Sequence, residues 1–197
     1  MIDDENGTDR RAMLKAVALA GAAAGGSALL PTALFAAPAR RIAGRSGTLA
    51  NDVSVMQGAL ALEHEGIAAY KIAAGSGLLS PGTIAVASVF LGHHEGHRDE
   101  LAKLIAQVGG KPVEPKSNAD YIRDLNIASL KSEADVVKFA AGLEQGATNA
   151  YVGQIAALRD PKIAHLFAQL GTDEAVHWAL LNNAAGGSVP KTAFLFA

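Results

Sequence analysis

Six residues of this 197-residue chain have the types and spacings that metal coordination needs. Glu63 lies in L-E-H-E-G-I-A-A-Y (residues 62–70). Glu144 lies in L-E-Q-G-A-T-N-A-Y (residues 143–151). Leu, Glu, Ala and Tyr recur in step between the two stretches, 81 positions apart. His94-x-x-His97 follows the first stretch and Glu174-x-x-His177 follows the second. A carboxylate-bridged metal pair in a four-helix bundle takes one Glu from each of two helices and a Glu-x-x-His from each of the other two. This chain meets the pattern with one substitution, His94 in place of a Glu. Carboxylate and imidazole donors suit iron, manganese, zinc or copper.

Each residue has a blander explanation. A single Glu inside an apolar stripe fits a tilted helix that leaves the side chain half exposed. Two at equivalent places in a repeat point instead to a shared inward role, because an unpaired buried carboxylate costs several kcal/mol. Glu174 and His177, three apart, share a helix face, as do His94 and His97. His93 and His97 share one too, and His64 and Glu65 lie beside Glu63. His94 is favoured over His93 because it aligns with Glu174, 80 positions on, just as His97 aligns with His177. Tyr70 and Tyr151 read as packing residues with hydrogen-bonded hydroxyls. Trp178 reads as packing and Asp173 as facing solvent.

Four long helices must position these groups. Asn51 or Asp52 can cap the first, whose stripe is Met56, Leu60, Ile67 and Tyr70 with Glu63 inside it. Gly75-Ser76-Gly77 ends it. Ser80-Pro81 starts the second, with the stripe Val86, Phe90, Leu101, Leu104 and Val108. Gly109-Gly110 stops it. Residues 111–131 form a linker with a short helical turn near Tyr121. Adjacent antiparallel helices need only a few residues between them, so this length marks a crossover between bundle helices two and three. Ser132 and Asp135 approximate a capping box for the third helix, which runs to about Leu158. Asp160-Pro161 opens the fourth, with Phe167, Leu170, Glu174, His177 and Leu181 on one face. The apolar end, residues 194–197, is expected to dock on the bundle, with a partner contact as the alternative.

Half of the residues are hydrophobic, alanine prominent among them, and aromatics are few. Ala and Leu favour helices, so the fold class is all-α. A net charge of −2 argues against a nucleic-acid partner. The absence of cysteine excludes disulfides, thiol catalysis and cysteine-ligated metals. The division expected is residues 1–39 as a signal peptide, 40–51 as a linker, 52–185 as the bundle and 186–197 as a tail. Asp9-Arg10-Arg11-Ala12-Met13-Leu14-Lys15 resembles the twin-arginine (Tat) consensus. An Ala/Gly-rich run follows, then Ala37-Pro38-Ala39 as a cleavage site. The alternative is a retained membrane anchor, weakened by Gly25, Gly26, Ser27 and Pro31. The Tat translocase is then a transient partner, and the destination is the periplasm or cell envelope.

Taken together, L-E-x6-Y (62–70), H-H-E-G-H-R-D-E-L (93–101), L-E-Q-G-A-T-N-A-Y-V-G (143–153) and D-E-A-V-H-W (173–178) resemble the ferritin-like superfamily. The similarity is to its bacterial Tat-exported members and spans most of the chain after the leader. The resemblance implies a ferritin-like four-helix bundle with a long crossover between helices 2 and 3. It also implies metal ligands at Glu63, His97, Glu144, Glu174 and His177, with His94 where a bridging carboxylate stands. The cofactor implied is iron, as a pair or a single ion, with manganese or zinc as alternatives. The activity implied is ferroxidase-like or O2/peroxide-reactive. The competing reading is a non-enzymatic envelope or stress protein whose metal site has degenerated. A homo-oligomer is compatible with either. A DNA-protecting relative is disfavoured by the export signal and by the lack of a basic tail.

Overall fold

The computed structural model describes residues 49–196; the leader and most of the linker lie outside them. Among the described residues there are five α-helices and no strand: α1 (Leu49–Gly75), α2 (Pro81–Gln107), α3 (Asn118–Asp124), α4 (Glu133–Gln154) and α5 (Pro161–Ala184). Helices α1 and α2 form one hairpin and α4 and α5 another, and the two hairpins face each other. The capping residues act as expected. Ser80 accepts the Thr83 amide, Ser132 the Asp135 amide and Asp160 the Lys162 amide. Each satisfies an amide that the first helical turn leaves unpaired. Gly109, at φ +82°, takes the left-handed conformation that terminates α2.

The crossover returns the chain along the bundle. Glu133, at the start of α4, accepts hydrogen bonds from Ser80 and Thr83 at the start of α2. Helices α2 and α4 therefore begin at the same end, which short hairpin turns alone would not give. The returning segment is held against α1. Gln57 donates to the Lys111 carbonyl at 2.7 Å and accepts the Val113 amide at 2.8 Å, and His64 meets the Val113 carbonyl at 3.0 Å. The turn near Tyr121 is the helix α3, with Tyr121 buried beneath it.

Three local expectations need correction. Helix α1 starts at Leu49, before the anticipated cap at Asn51 or Asp52. Asp52 is buried and accepts the Arg159 and Asp160 amides at 2.8 and 2.9 Å, while Asn51 donates to the Ala157 carbonyl. Both side chains close the α4–α5 turn rather than cap their own helix. The α2 stripe is not buried throughout. Val86 and Val108 are exposed, and the buried line is Phe90, His94, His97, Leu101 and Ile105. Helix α4 ends at Gln154 and continues only as a 3-10 turn to Ala157, with Leu158 fully buried beyond it. The tail docks through Phe196, whose ring meets Trp178 edge-on at 5.2 Å, while Phe194 points into solvent.

Two apolar layers fill the bundle. One contains Met56, Leu60, Leu101, Ile105, Leu158 and Phe167; the other contains Tyr70, Phe90, Val137 and Leu181. Each such side chain contributes about 1.5–3 kcal/mol on full burial. In every long helix the candidate metal-ligating residue falls between a residue of one layer and a residue of the other: Glu63 between Leu60 and Tyr70, Glu144 between Val137 and Tyr151. The polar cluster is thus sealed at both ends by hydrocarbon.

Candidate metal centre

All six candidates converge in that polar layer, and all are buried: Glu63 from α1, His94 and His97 from α2, Glu144 from α4, Glu174 and His177 from α5. His94 stands between the hairpins. Its Nδ1 lies 2.8 Å from Glu63 Oε2 and its Nε2 lies 3.2 Å from Glu144 Oε1. His97 Nδ1 lies 3.0 Å from Glu174 Oε1, and His177 Nδ1 lies 3.1 Å from Glu174 Oε2. Ligand atoms of Glu63, His94, His97 and Glu174 all fall within 4.8 Å of one another, as do those of His94, Glu144, Glu174 and His177. Two adjacent quartets share His94 and Glu174.

Around these six lies a set of partners that obeys the same internal symmetry. Tyr70 donates its hydroxyl to Glu144 and Tyr151 donates to Glu63, so each repeat's tyrosine serves the other repeat's glutamate. His97 Nε2 meets Asp173 Oδ2 at 3.3 Å, and His177 Nε2 meets His93 Nδ1 at 2.9 Å. Asp173 and His93 are themselves 80 positions apart, equivalent residues of the repeat. His97 and His177 therefore each present Nδ1 to the cluster and anchor Nε2 outside it. Ligating histidines take this arrangement, with the outer partner fixing ring orientation and tautomer.

The outer partners were not legible as such. His93 is exposed and supports His177, so of the two neighbouring histidines His94 is the one inside the cluster. Asp173, expected only to face solvent, does so but also reaches His97. Their shared offset of 80 was a signal in the sequence, but it carries meaning only once the two rings are known to lean outward. His64 is directed to the crossover and away from the cluster.

Glycine shapes the other side. A Cβ added to Gly66 would lie 3.3 Å from His94 Cε1 and Nδ1, so the imidazole occupies space that α1 yields by having no side chain there. A cavity of about 210 Å³ lies between α1 and α4, lined in part by Gly142 and Gly146, and reaches Glu63, His94 and Glu144.

Burial opposes ionisation of every group in this layer, and the opposite charges overcome it selectively. Burial lowers the His94 pKa, but hydrogen bonds to Glu144 and Glu63 outweigh it and push the value up to about 11. Burial likewise depresses His97, and Glu174 and Glu63 raise it to about 10. His177 is raised by Glu144 and Glu174 against the same desolvation. Burial pushes the carboxyls up, yet Glu63 is held below its ordinary value by His94 and His97, and Glu144 far below it by His177 and His94. Glu174 is raised, chiefly by burial. Burial and the adjacent glutamates keep both tyrosines protonated, as donors. Without metal, protons on imidazole balance the carboxylates. Among the described residues one buried side-chain oxygen accepts no hydrogen bond: Glu144 Oε2, which has only an ion-pair contact from His177 Nδ1 at 3.5 Å. Native interiors rarely leave a charged acceptor in that state, and a cation beside Glu144 and Glu174 would satisfy it. The donor set and the orphaned oxygen both fit a metal.

Residues 51–187 match the family model described as a ferritin-like domain. The chain belongs to the ferritin-like domain family. Among solved structures it is similar to a conserved hypothetical protein, rv2844, from Mycobacterium tuberculosis. The TM-score is 0.62 at 22% identity, over 74% of this chain and 97% of that one. It is also similar to a Bacillus anthracis str. Ames structure described as ferritin-like, diiron-carboxylate proteins, with a TM-score of 0.56 at 17% identity over 68% of this chain and 94% of that one. At these identities the likeness shows the fold. No curated protein matches the sequence.

Proposed function

We propose that this ferritin-like protein binds redox-active metal at the buried cluster and acts on O2 or peroxide, with ferroxidase-like oxidation of Fe(II) as the leading activity. The observation that carries the reading is the buried Glu144 oxygen that accepts no hydrogen bond amid three carboxylates and three imidazoles, with the outward nitrogens of His97 and His177 already anchored. Iron is the favoured metal, in keeping with the diiron-carboxylate description of the Bacillus anthracis neighbour; manganese or zinc would use the same donors. Bound iron would supply one-electron redox chemistry, with O2 or peroxide as electron acceptor. The chain's own residues do the rest. Tyr70 and Tyr151 orient the glutamates, Asp173 and His93 orient the histidines, the apolar layers exclude bulk water, and the α1–α4 cavity gives small molecules a path to His94.

We further propose export by the Tat route to the periplasm or cell envelope, on the strength of Arg10-Arg11, Lys15 and the Ala/Gly-rich run. That route carries folded proteins, which suits a metal centre loaded in the cytoplasm.

One observation favours the degenerate, structural alternative. His94 pairs with Glu63 and Glu144 together, and such a bridge could hold the hairpins without metal. Elemental analysis of the protein purified from its native host decides between them. Bound iron or manganese that falls sharply in Glu174→Ala supports the metal reading. A metal-free protein whose thermal stability is unmoved by added iron, manganese, zinc or copper supports the structural one.

A further inference from the structure

The two quartets are not equivalent, and the difference lies in how many metals His94 can serve. A carboxylate can give one oxygen to each of two metals. A neutral imidazole has one lone pair and one N–H, so it can ligate a single metal while donating to a single acceptor. One assignment of the two nitrogens fits the contacts best: Nδ1 donates to Glu63 and Nε2 is left to ligate. His94 Nδ1 lies closer to Glu63, at 2.8 Å, than Nε2 lies to Glu144, at 3.2 Å. Both Glu63 oxygens are engaged, one by Tyr151 and one by His94. Glu144 receives Tyr70 and His94 on Oε1 and no hydrogen bond on Oε2, which lies 3.5 Å from His177 Nδ1. The histidines differ in the same sense. His97 has a carboxylate against each nitrogen, Glu174 at 3.0 Å and Asp173 at 3.3 Å. His177 has an imidazole, His93, on Nε2. Neutral His177 can donate Nε2–H to His93 and present the Nδ1 lone pair inward.

From these contacts, and resting on the metal-binding reading above, we infer that the centre holds one metal ion rather than two. Glu144, Glu174, His177 and His94 Nε2 bind it. Glu63 is not a ligand but the acceptor that fixes His94 through Nδ1–H, the role an outer carboxylate plays for a ligating histidine. Gly66 is part of the same device, since a Cβ at that position would press on the ring at 3.3 Å. The imidazole at 94 thus converts a two-metal pattern into a one-metal site and turns a ligand of the pattern, Glu63, into a positioning residue.

The test is anaerobic equilibrium dialysis of the chelator-stripped protein against Mn(II) and, separately, Fe(II), with folding checked by circular dichroism. The wild type is expected to bind one ion. Glu63→Gln, which keeps an oxygen for the His94 N–H, should still bind one, with affinity about 10- to 100-fold weaker. Glu144→Gln should lose saturable binding over the same range. His94→Glu, smaller than the ring it replaces, should bind two, a gain that misfolding cannot mimic. Two ions in the wild type, equal loss in the two Gln variants, or one ion in His94→Glu would overturn this inference while leaving the metal reading intact. No binding to the wild type would overturn both.

Discussion

Gly66→Ala separates two effects of opposite sign. Gly in the middle of a helix costs about 0.5–1 kcal/mol relative to Ala. Where nothing stands in the way, the substitution should stabilise by that amount. Gly58 provides the control: it lies on the same helix, and an added Cβ would meet nothing within 4 Å. Gly58→Ala should raise the melting temperature of this domain by roughly 2–4 °C per kcal/mol gained. At Gly66 the Cβ would sit 3.3 Å from two atoms of His94. The ring must yield a few tenths of an ångström, and it is held by Glu63 on one side and Glu144 on the other. Lengthening charge-assisted hydrogen bonds worth about 1.5–3 kcal/mol each forfeits part of that energy. The helix gain should therefore be cancelled or reversed. The same displacement should weaken metal binding by about 10- to 100-fold, the range for disturbing a ligand's support. The assays are thermal unfolding of chelator-stripped protein and Mn(II) titration. In His94→Ala the ring is gone, so adding Gly66→Ala should recover the gain seen at Gly58. A Gly66→Ala protein that matches Gly58→Ala in both stability and metal affinity would refute the coupling.

Other outcomes follow from the same contacts. His94 and His97 have folded-state pKa values of about 11 and about 10, raised from an ordinary value of 6.5. Their stabilisation of the metal-free protein is therefore complete below about pH 6.5, declines above it and is gone once pH has risen through 10–11; melting temperatures of the stripped protein from pH 6 to 11 should fall steadily across that window. Metal at His94 Nε2 must displace the proton held there, so binding at pH 8 should release protons and tighten as pH rises, as read by calorimetry in buffers of different ionisation enthalpy. Asp52→Ala strips both acceptors from the Arg159 and Asp160 amides and should destabilise by about 1–3 kcal/mol in urea unfolding, with little change in metal affinity. Changing Arg10 and Arg11 together to Lys should leave the precursor in the cytoplasm by fractionation; unchanged export, there or in a strain without the Tat translocase, contradicts that route.

The legible part of this protein was its periodic part. The repeat located Glu63 and Glu144, and three-residue spacing placed His94 with His97 and Glu174 with His177. The residues between Gly109 and Ser132 announced the crossover because two adjacent helices do not need so long a link. What stayed hidden depends on contacts between residues far apart in sequence. Tyr70 reads as a packing residue with a hydrogen-bonded hydroxyl, but the sequence does not say that the partner is Glu144 of the other repeat. Asp52 looks like a cap because a cap and a turn clamp use the same acceptor chemistry; only the α4–α5 turn lying against it distinguishes them. The repeat favours His94 over His93 as the inward residue, but spacing cannot say that the His93 ring braces His177 from outside. Gly66 resembles any helical glycine until His94 is seen against it. Val86 and Val108 fit an apolar stripe, but they lie near the two ends of α2, where the facing helices leave them open to solvent.

The most direct test of a metal at this cluster is a crystal of the metal-loaded protein, with diffraction measured on both sides of the manganese or iron absorption edge. The account predicts an anomalous-difference peak in the polar layer, bounded by Glu144, Glu174, His177 and His94. Fully loaded crystals with no peak within coordinating distance of any of the six buried residues would contradict it.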